Sequence, residues 1–298
     1  MAAISLSTGT VLGPPGAVPS TPRRAAGAPR AASPRAAAPG WPEPGWLPGL
    51  ESVAPAALAT DWLQDHLLNP HSADILGYLR AARTTGGPVL DLGAGAGRLA
   101  VPFAHHGFEV EAVDRDEGCL GRLRAWALRG GRPTRHPVRT TAAELEGLRL
   151  QRGYGFVMLA GAMISAVRPA ARPALLAELA SNLRPGGALA LDYTAHRPAG
   201  LAADPVRNWV FRVPRYGADD DMVTARQSFE PATAREEIVF HTRSRAAGLR
   251  RVHATEKWLV DPERLATDLR AAGLRISLRD SHPLDARTES VFLLCRPR

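Results

Sequence analysis

Cysteine is scarce in this sequence. Among 298 residues there are two, Cys119 and Cys295, and neither belongs to a C-x-x-C pair. A disulfide framework needs several cysteines and a zinc–thiolate site needs paired ones, so the sequence argues against both. We expect each cysteine to pack as a small apolar side chain.

Long apolar runs are also missing. The sequence has no uninterrupted apolar stretch of about 18 residues, the minimum for a membrane-spanning helix. Its N-terminus has no compact apolar segment of the kind found in secretory signal peptides. We therefore expect a protein that neither crosses nor binds a membrane and that is located in the cytoplasm.

Lysine is nearly absent from the sequence, in which Lys257 is the only one. The formal net charge of +8 comes almost entirely from arginine, and four arginines precede residue 36 in a segment with no acidic residue before Glu43. The rest of the chain is only mildly basic and has no RNA-binding motif with interleaved aromatic residues. The composition therefore does not favour a nucleic-acid partner.

Composition and periodicity divide the chain into five parts. Residues 1–45, rich in Ala, Pro, Gly and Arg, predict a disordered tail because they cannot bury enough apolar surface to offset their ordering entropy. Helical spacing predicts an N-terminal helical cap over 46–85, including a helix over Ser72–Arg83. The other parts are an α/β core over 86–203, an antiparallel lid over 204–260, and a closing helix with two strands over 261–298.

Short apolar runs alternate with amphipathic stretches in the central part. This alternation is typical of a doubly wound, mostly parallel sheet with crossover helices. The predicted strands are Val89–Leu92, Glu109–Asp114, Pro137–Thr140, Phe156–Ala160 and Ala188–Tyr193. The predicted helices are Arg98–His106, Gly118–Leu128 and Arg172–Leu183.

The last third of the chain changes rhythm. Period-two patterns predict an antiparallel insertion with strands at Arg226–Phe229, Glu237–Arg245 and Arg250–Leu259, the last two joined around Gly248. Asp261 and Pro262 form a helix start, and Gly273 closes that helix after Ala272. Leu274–Leu278 and Val291–Cys295 would complete a seven-stranded sheet as a strand pair.

A glycine-rich loop follows the first predicted strand. Asp91 ends that strand, Gly93, Gly95 and Gly97 alternate after it, and a second strand ends in an acid about twenty residues later. A dinucleotide-binding loop would need glycine where Arg98 stands, and a carboxylate at Asp91 would repel a pyrophosphate. A carboxylate at this position suits instead the ammonium group of an amino acid, so this spacing favours an adenosyl amino acid over NAD.

Three segments in this order, Val89–Gly97, Val110–Asp114 and Leu183–Gly187, resemble the class I S-adenosylmethionine-dependent methyltransferases with a Rossmann-like fold. The sequence is most similar to those that act on small molecules and natural products. The resemblance implies S-adenosylmethionine as the cofactor and S-adenosylhomocysteine as the product. The similarity extends well over residues 86–193 and loosely beyond them.

The resemblance also implies roles for individual residues in cofactor binding. The glycine loop would approach the methionine part, Asp91 its amino group, and the end of the second strand the ribose. The segment after the third strand would contact the adenine, although it carries Thr141 where many relatives have Asp. The cofactor-binding residues implied in this way are Asp91, Gly93, Ala94, Gly95, Gly97, Asp114, Arg115, Thr141, Ala142, Ala160 and Gly161.

No sharp catalytic signature accompanies these residues, since methyl transfer relies mainly on positioning the nucleophile and excluding water. Candidates for catalysis are Tyr193 and His196, which follow the fifth strand, and His241 in the insertion. A neutral histidine there could take the proton that an amine or hydroxyl releases. The sequence indicates no metal site.

The late insertion and the ending of the chain are similar to N-methyltransferases of small metabolites. We therefore expect methylation of an amine on a small metabolite or modified peptide in secondary-metabolite biosynthesis. Three alternatives stay open: O-methylation of a small molecule, nucleic-acid methylation, and a non-catalytic partner protein that binds S-adenosylmethionine. An NAD(P)-dependent dehydrogenase is a more distant alternative. The sequence leaves the acceptor and the oligomeric state undetermined.

Overall fold

The computed structural model describes residues 50–52, 74–129, 134–197, 200–201, 205–215, 218–230, 232–243, 250–283 and 288–298. The predicted tail over 1–45 and most of the predicted cap over 46–85 lie outside the described residues. Within the cap, a helix over Asp74–Thr85 agrees with the helix predicted over Ser72–Arg83.

Strands and helices alternate through the first two thirds of the described chain, as the pattern of apolar runs predicts. In chain order the elements are β1 (Leu50–Ser52), α1 (Asp74–Thr85), β2 (Val89–Leu92), α2 (Ala100–His105), β3 (Val110–Asp114), α3 (Glu117–Arg129), β4 (Arg139–Ala142), β5 (Tyr154–Leu159), a 3-10 helix (Met163–Ala166), α4 (Arg172–Ser181) and β6 (Leu183–His196).

The remaining elements are mostly strands. They are β7 (Val206–Arg215), β8 (Ala218–Glu230), β9 (Arg235–Arg243), β10 (Arg250–Trp258), α5 (Pro262–Ala271), β11 (Leu274–Pro283) and β12 (Thr288–Pro297). Asp261 caps α5 by accepting hydrogen bonds from the amides of Glu263 (2.9 Å) and Arg264 (3.3 Å), as its position before Pro262 predicts.

Seven strands form one sheet in the order β11-β12-β6-β5-β2-β3-β4. The five strands from β6 to β4 are parallel, while β12 and β11 add an antiparallel pair at one edge. The predicted fold class, a Rossmann-like, doubly wound and mostly parallel seven-stranded sheet with a late antiparallel insertion, is confirmed.

Several strand and helix boundaries differ from the prediction. The largest differences are in β6, which spans Leu183–His196 rather than Ala188–Tyr193, and in β8, which begins at Ala218 rather than Arg226. β4 begins at Arg139 rather than Pro137, because proline has no N–H to donate to the ladder. α2 begins at Ala100 rather than Arg98, because the last residues of the glycine loop still form turns there.

Both faces of this sheet are buried, since successive side chains of a strand point to opposite sides. On one face the strands pack against α4 and α5, and on the other against α1, α2 and α3. In β2, for example, Leu90 joins the first layer and Val89 the second. Near-continuous apolar runs are what a strand buried on both sides requires.

A second, five-stranded sheet has the order β1-β10-β9-β8-β7. The antiparallel pairing of β9 with β10 and of β8 with β9 agrees with the predicted insertion. The sequence pattern missed β7, which lacks regular alternation, and β1, whose three residues are too short to show a period. The predicted turn around Gly248 lies outside the described residues.

Arg172 links the two sheets from a buried position at the start of α4. Its Nε donates to the carbonyl oxygens of Ile164 and Val167, both at 3.1 Å, and its guanidinium also reaches the carbonyl oxygen of Leu259 at 3.4 Å. The end of β10 is thereby attached to the segment that follows β5. Burial lowers the pKa of Arg172.

Cys119 and Cys295 are both buried, in agreement with their predicted packing role. Across the described ranges, no helix is long and apolar enough to cross a membrane. The same residues contain no group of three or more histidine, cysteine or acidic side chains that could hold a metal ion.

Candidate cofactor and acceptor site

The glycine loop turns the chain from β2 into α2 through left-handed backbone conformations. Gly93, Gly95 and Gly97 have φ angles of 70°, 53° and 94°, a region that side chains with a Cβ rarely adopt. The amides of Gly93 and Ala94 donate to the carbonyl oxygen of Val113, at 2.8 and 3.1 Å. The loop is therefore fixed against the end of β3.

Close packing also excludes side chains from this loop. A Cβ on Gly93 would lie 2.5 Å from Cε of Met163, which belongs to the 3-10 helix after β5. A Cβ on Gly97 would lie 2.7 Å from Cγ of Leu123 in α3. The loop thus touches the segment after β5 on one side and the helical layer on the other.

Asp114 ends β3 with its carboxylate against the glycine loop. Oδ2 accepts a hydrogen bond from the amide of Gly95 at 2.8 Å, and Oδ1 accepts one from the amide of Asp116 at 2.9 Å. Each carboxylate oxygen can accept a second hydrogen bond. Asp114 can therefore hold the loop and still bind two neighbouring hydroxyl groups.

Charge at this loop distinguishes between possible cofactors. Asp91 is 3% exposed and lies at the end of β2, next to the start of the loop. Arg98 follows the last glycine, and its guanidinium donates to the carboxylate of Asp74 at 2.8 Å. The loop thus carries two carboxylates and an arginine that is already paired, which fits a cationic adenosyl amino acid better than a pyrophosphate.

Family comparison agrees with this geometry. Residues 89–187 match the family described as a methyltransferase domain. Residues 89–187 therefore form a methyltransferase domain of the class I, S-adenosylmethionine-dependent type. None of the curated proteins compared with the chain matches it.

Solved structures share the fold of this methyltransferase. The CcbJ methyltransferase from Streptomyces caelestis is 22% identical, with a TM-score of 0.63 over 77% of this chain and 96% of that chain. CalS10, an amino pentose methyltransferase from Micromonospora echinaspora involved in calicheamicin biosynthesis, is 22% identical, with a TM-score of 0.57 over 76% and 91%. The glycopeptide N-methyltransferase MtfA is 19% identical, with a TM-score of 0.53 over 76% and 90%.

S-adenosylmethionine is thus the cofactor and S-adenosylhomocysteine the product. Of the residues predicted to bind the adenosine part, Ala142 is the register partner of Asp114, while Arg115 directly follows it and is exposed. Thr141 points to the opposite face of β4 from Ala142, and its hydroxyl lies 3.4 Å from a carboxylate oxygen of Glu111 in β3. The roles of these three residues stay predictions.

The loop after β5, where Ala160 and Gly161 are predicted to face the sulfonium, is held by Asp192. The amides of Gly161 and Ala162 donate to the two carboxylate oxygens of Asp192, at 2.8 and 2.9 Å. Tyr78 of α1 donates its hydroxyl to the same carboxylate at 2.5 Å. Ala162 has a φ of 55°, so this carboxylate stabilises a backbone conformation that alanine rarely adopts.

The sequence reasoning missed Asp192. Burial raises the pKa of its carboxyl group, and the hydrogen bonds from Tyr78 and the two amides oppose that rise. Burial and the neighbouring carboxylate together raise the pKa of Tyr78 well above its ordinary value. An acidic residue inside the apolar run of β6 was the available signal, because a buried charge requires partners.

The three predicted catalytic residues lie in different surroundings. Tyr193 is buried with the layer of α4 and α5, on the opposite face of β6 from Asp192, and burial raises its pKa. His196 lies at the end of β6, with its ring centroid 4.9 Å from that of Phe229 in β8. His241 is half-buried in β9, and burial lowers its pKa.

These candidates do not form one cluster. In the second sheet, Phe240 shares the buried face with Phe229, so the next residue, His241, points to the other side. His196 is therefore the candidate that lies both at the carboxyl end of the parallel sheet and against the buried face of the second sheet. In open α/β sheets, ligands bind outside the carboxyl ends of the strands.

Proposed function

We propose that this methyltransferase transfers a methyl group to an amine of a small metabolite or modified peptide in secondary-metabolite biosynthesis. The observation that carries the proposal is the contact of Phe229 with His196, because it brings a face of the second sheet to the carboxyl end of β6. Among proteins with the same fold are an amino pentose methyltransferase and a glycopeptide N-methyltransferase, which supports an amine as the acceptor.

When bound, S-adenosylmethionine supplies a methyl carbon that its sulfonium makes electrophilic. In our proposal Asp91 and the glycine loop hold the amino-acid part, and Asp114 holds the ribose. Asp192 fixes the loop at Gly161, so that a wall of the reaction site stays in place and water is kept out. Positioning of this kind can supply most of the rate acceleration in a displacement reaction.

An amine reacts as the neutral base, so the acceptor must lose a proton. We assign that proton to His196, whose imidazole is suited to accept it near neutral pH. In the balanced reaction a carbon–nitrogen bond forms, the carbon–sulfur bond breaks with its electron pair staying on sulfur, and the proton passes through the imidazole to water.

Matched pairs of acceptors test the proposal. Purified protein and cofactor labelled in the methyl group are incubated with D-glucosamine or D-glucose, and with glycinamide or glycolamide, and the transferred label is counted. We expect label on the amine of at least one pair and none on the matching alcohol. Label on the alcohols alone, or on no amine, would contradict the proposal.

The role of His196 needs a matched control. We expect His196→Gln to lower kcat for the labelled amine at least tenfold, while the affinity for S-adenosylhomocysteine, measured by calorimetry, stays unchanged. His282→Gln, an exposed histidine of β11, serves as the control and should leave kcat unaltered. An unaltered kcat in His196→Gln would exclude this histidine as the proton acceptor.

A further inference from the structure

One face of α1 is bound to both loops of the cofactor site. Asp74 and Tyr78 are four residues apart in α1, so their side chains lie on the same face of the helix. Both carboxylate oxygens of Asp74 accept hydrogen bonds from Nη1 of Arg98, at 2.8 and 2.9 Å, just after the last glycine of the glycine loop. The hydroxyl of Tyr78 donates to Asp192, which holds the loop after β5. We call these the two α1 contacts.

The two loops also pack directly against each other. A Cβ on Gly93 would lie 2.5 Å from Cε of Met163, so the backbone of the glycine loop touches the segment that follows Gly161 and Ala162. In the proposed site the glycine loop holds the methionine part of the cofactor, and Gly161 faces its sulfonium. A change in the separation of the loops would therefore alter the space in which this part of the cofactor is bound.

The two α1 contacts belong to one group of charged and polar side chains. Burial contributes most to the raised pKa of Tyr78, the carboxylates of Asp192 and Asp74 raise it further, and the guanidinium of Arg98 opposes them. Burial likewise raises the pKa of Asp192, and the charge of Asp74 acts in the same direction. Side chains from α1, the glycine loop and β6 thus interact with one another.

We propose that Asp74 and Tyr78 are positioning residues for the cofactor. Through the two α1 contacts they hold the glycine loop and the loop after β5 at a fixed separation, so that the methionine part and the sulfonium are bound in one orientation. A site that is ordered before its ligand arrives binds more tightly, because no free energy is lost in ordering the loops. The inference applies equally to an amine and to an alcohol as the acceptor, so it goes beyond the proposed function.

Adenosine and S-adenosylhomocysteine together distinguish this role from a general loss of structure. Adenosine has the ribose and the adenine but lacks the homocysteine part, which would lie between the two loops. Loss of an α1 contact should weaken the binding of S-adenosylhomocysteine, because the two loops then spend less time in the arrangement that binds it. The affinity for adenosine should change little, because its ribose and adenine are assigned to the ends of β3 and β4.

Two conservative variants and two matched controls test the proposal. Tyr78→Phe removes one buried hydroxyl, and Asp74→Asn removes the charge of one ion pair. Tyr154→Phe is the control for the first, since its buried hydroxyl donates to Glu111 at 2.9 Å. Glu109→Gln is the control for the second, since its ion pair is about as exposed as that of Asp74. Both controls lie at the amino ends of β5 and β3, at the opposite edge of the sheet from the cofactor site.

We expect Tyr78→Phe and Asp74→Asn each to weaken the binding of S-adenosylhomocysteine at least fivefold and the binding of adenosine less than twofold, both measured by calorimetry. Asp74→Glu, which keeps the charge, should bind S-adenosylhomocysteine more tightly than Asp74→Asn does. The two controls should leave both affinities unchanged, even if they lower the midpoint of thermal unfolding as much as the α1 variants do.

Two results would overturn the inference. One is an unchanged affinity for S-adenosylhomocysteine in either α1 variant. The other is an equal loss of affinity for S-adenosylhomocysteine and adenosine, which would indicate that α1 only stabilises the fold. If Tyr78→Phe is too unstable to measure, Asp74→Asn gives the same test, because its ion pair is partly exposed. Neither result bears on the proposed function, which the transfer of label to amines tests separately.

Discussion

The hydrogen bond from Tyr78 to Asp192 offers a sharp test of how the loop after β5 is held. Tyr78→Phe removes one hydroxyl from a fully buried ring, and the ring keeps its edge-on contact with Phe292 at a centroid distance of 5.1 Å. The lost bond, at 2.5 Å, joins a hydroxyl to a carboxylate. Removing a bond to a charged group costs about 2 kcal/mol, or roughly 30-fold in the unfolding equilibrium.

The pH dependence of this cost identifies its cause. Burial raises the pKa of Asp192, so its stabilising contribution is complete below the ordinary value near 4 and is lost as the pH rises through the folded value. Tyr78→Phe removes a donor that favours the carboxylate, which raises this pKa further. The variant should therefore be more destabilised at pH 7 than at pH 4, because a larger fraction of this carboxyl group is charged at the higher pH.

Urea unfolding followed by circular dichroism, at pH 4 and pH 7, measures both quantities. The expected result is a lower free energy of unfolding for Tyr78→Phe at pH 7 and a smaller difference from wild type at pH 4. An equal difference at both pH values would refute the reasoning, because the lost stability would then come from packing and not from the charged carboxylate.

Three further predictions concern other described contacts. Asp114→Asn should weaken the binding of S-adenosylhomocysteine about 10- to 100-fold, because the loss of a charged acceptor costs about 1.5–3 kcal/mol. Calorimetry measures this affinity, and an unchanged value would exclude Asp114 from the ribose site. Arg172→Met should lower the free energy of unfolding, measured in urea, by about 2–4 kcal/mol, because buried carbonyl oxygens lose their donor. Arg149→Met, at an exposed arginine, is the control, and a smaller loss of stability in Arg172→Met than in this control would contradict the prediction. Burial raises the pKa of Tyr154 to about 12, so the free energy of unfolding of the wild type should fall between pH 10 and pH 12, and that of Tyr154→Phe should fall less. Parallel curves of unfolding free energy against pH for the two proteins would refute this prediction.

Local sequence patterns were enough to predict the strands of the central sheet and the position of its cofactor loop. β2 spans Val89–Leu92 as predicted, because a short apolar run with glycines after it has few alternatives to a buried strand and a tight turn. The start of α5 followed from Asp261 and Pro262 for an equally local reason, since a cap acts within its own first turn.

The acceptor side could not be predicted in the same way. β7 and β1 were missed because their sequences show no clear period, and only pairing with neighbouring strands decides their conformation. Tyr193 and His196 were chosen as candidates because both were expected to follow the fifth predicted strand, but β6 extends to His196 and contains them both. A spacing of three residues places them on opposite faces of β6.

The sequence by itself determined the part of this protein whose functional residues are close together along the chain: the strand that carries Asp91 next to its last residue, the glycine turn, and the acid at Asp114. These features depend on backbone conformation and short spacings, which are local properties. Tertiary structure alone decided which distant side chains meet, such as Tyr78 with Asp192 across 114 positions. Such contacts depend on the packing of whole layers, and no local pattern records them.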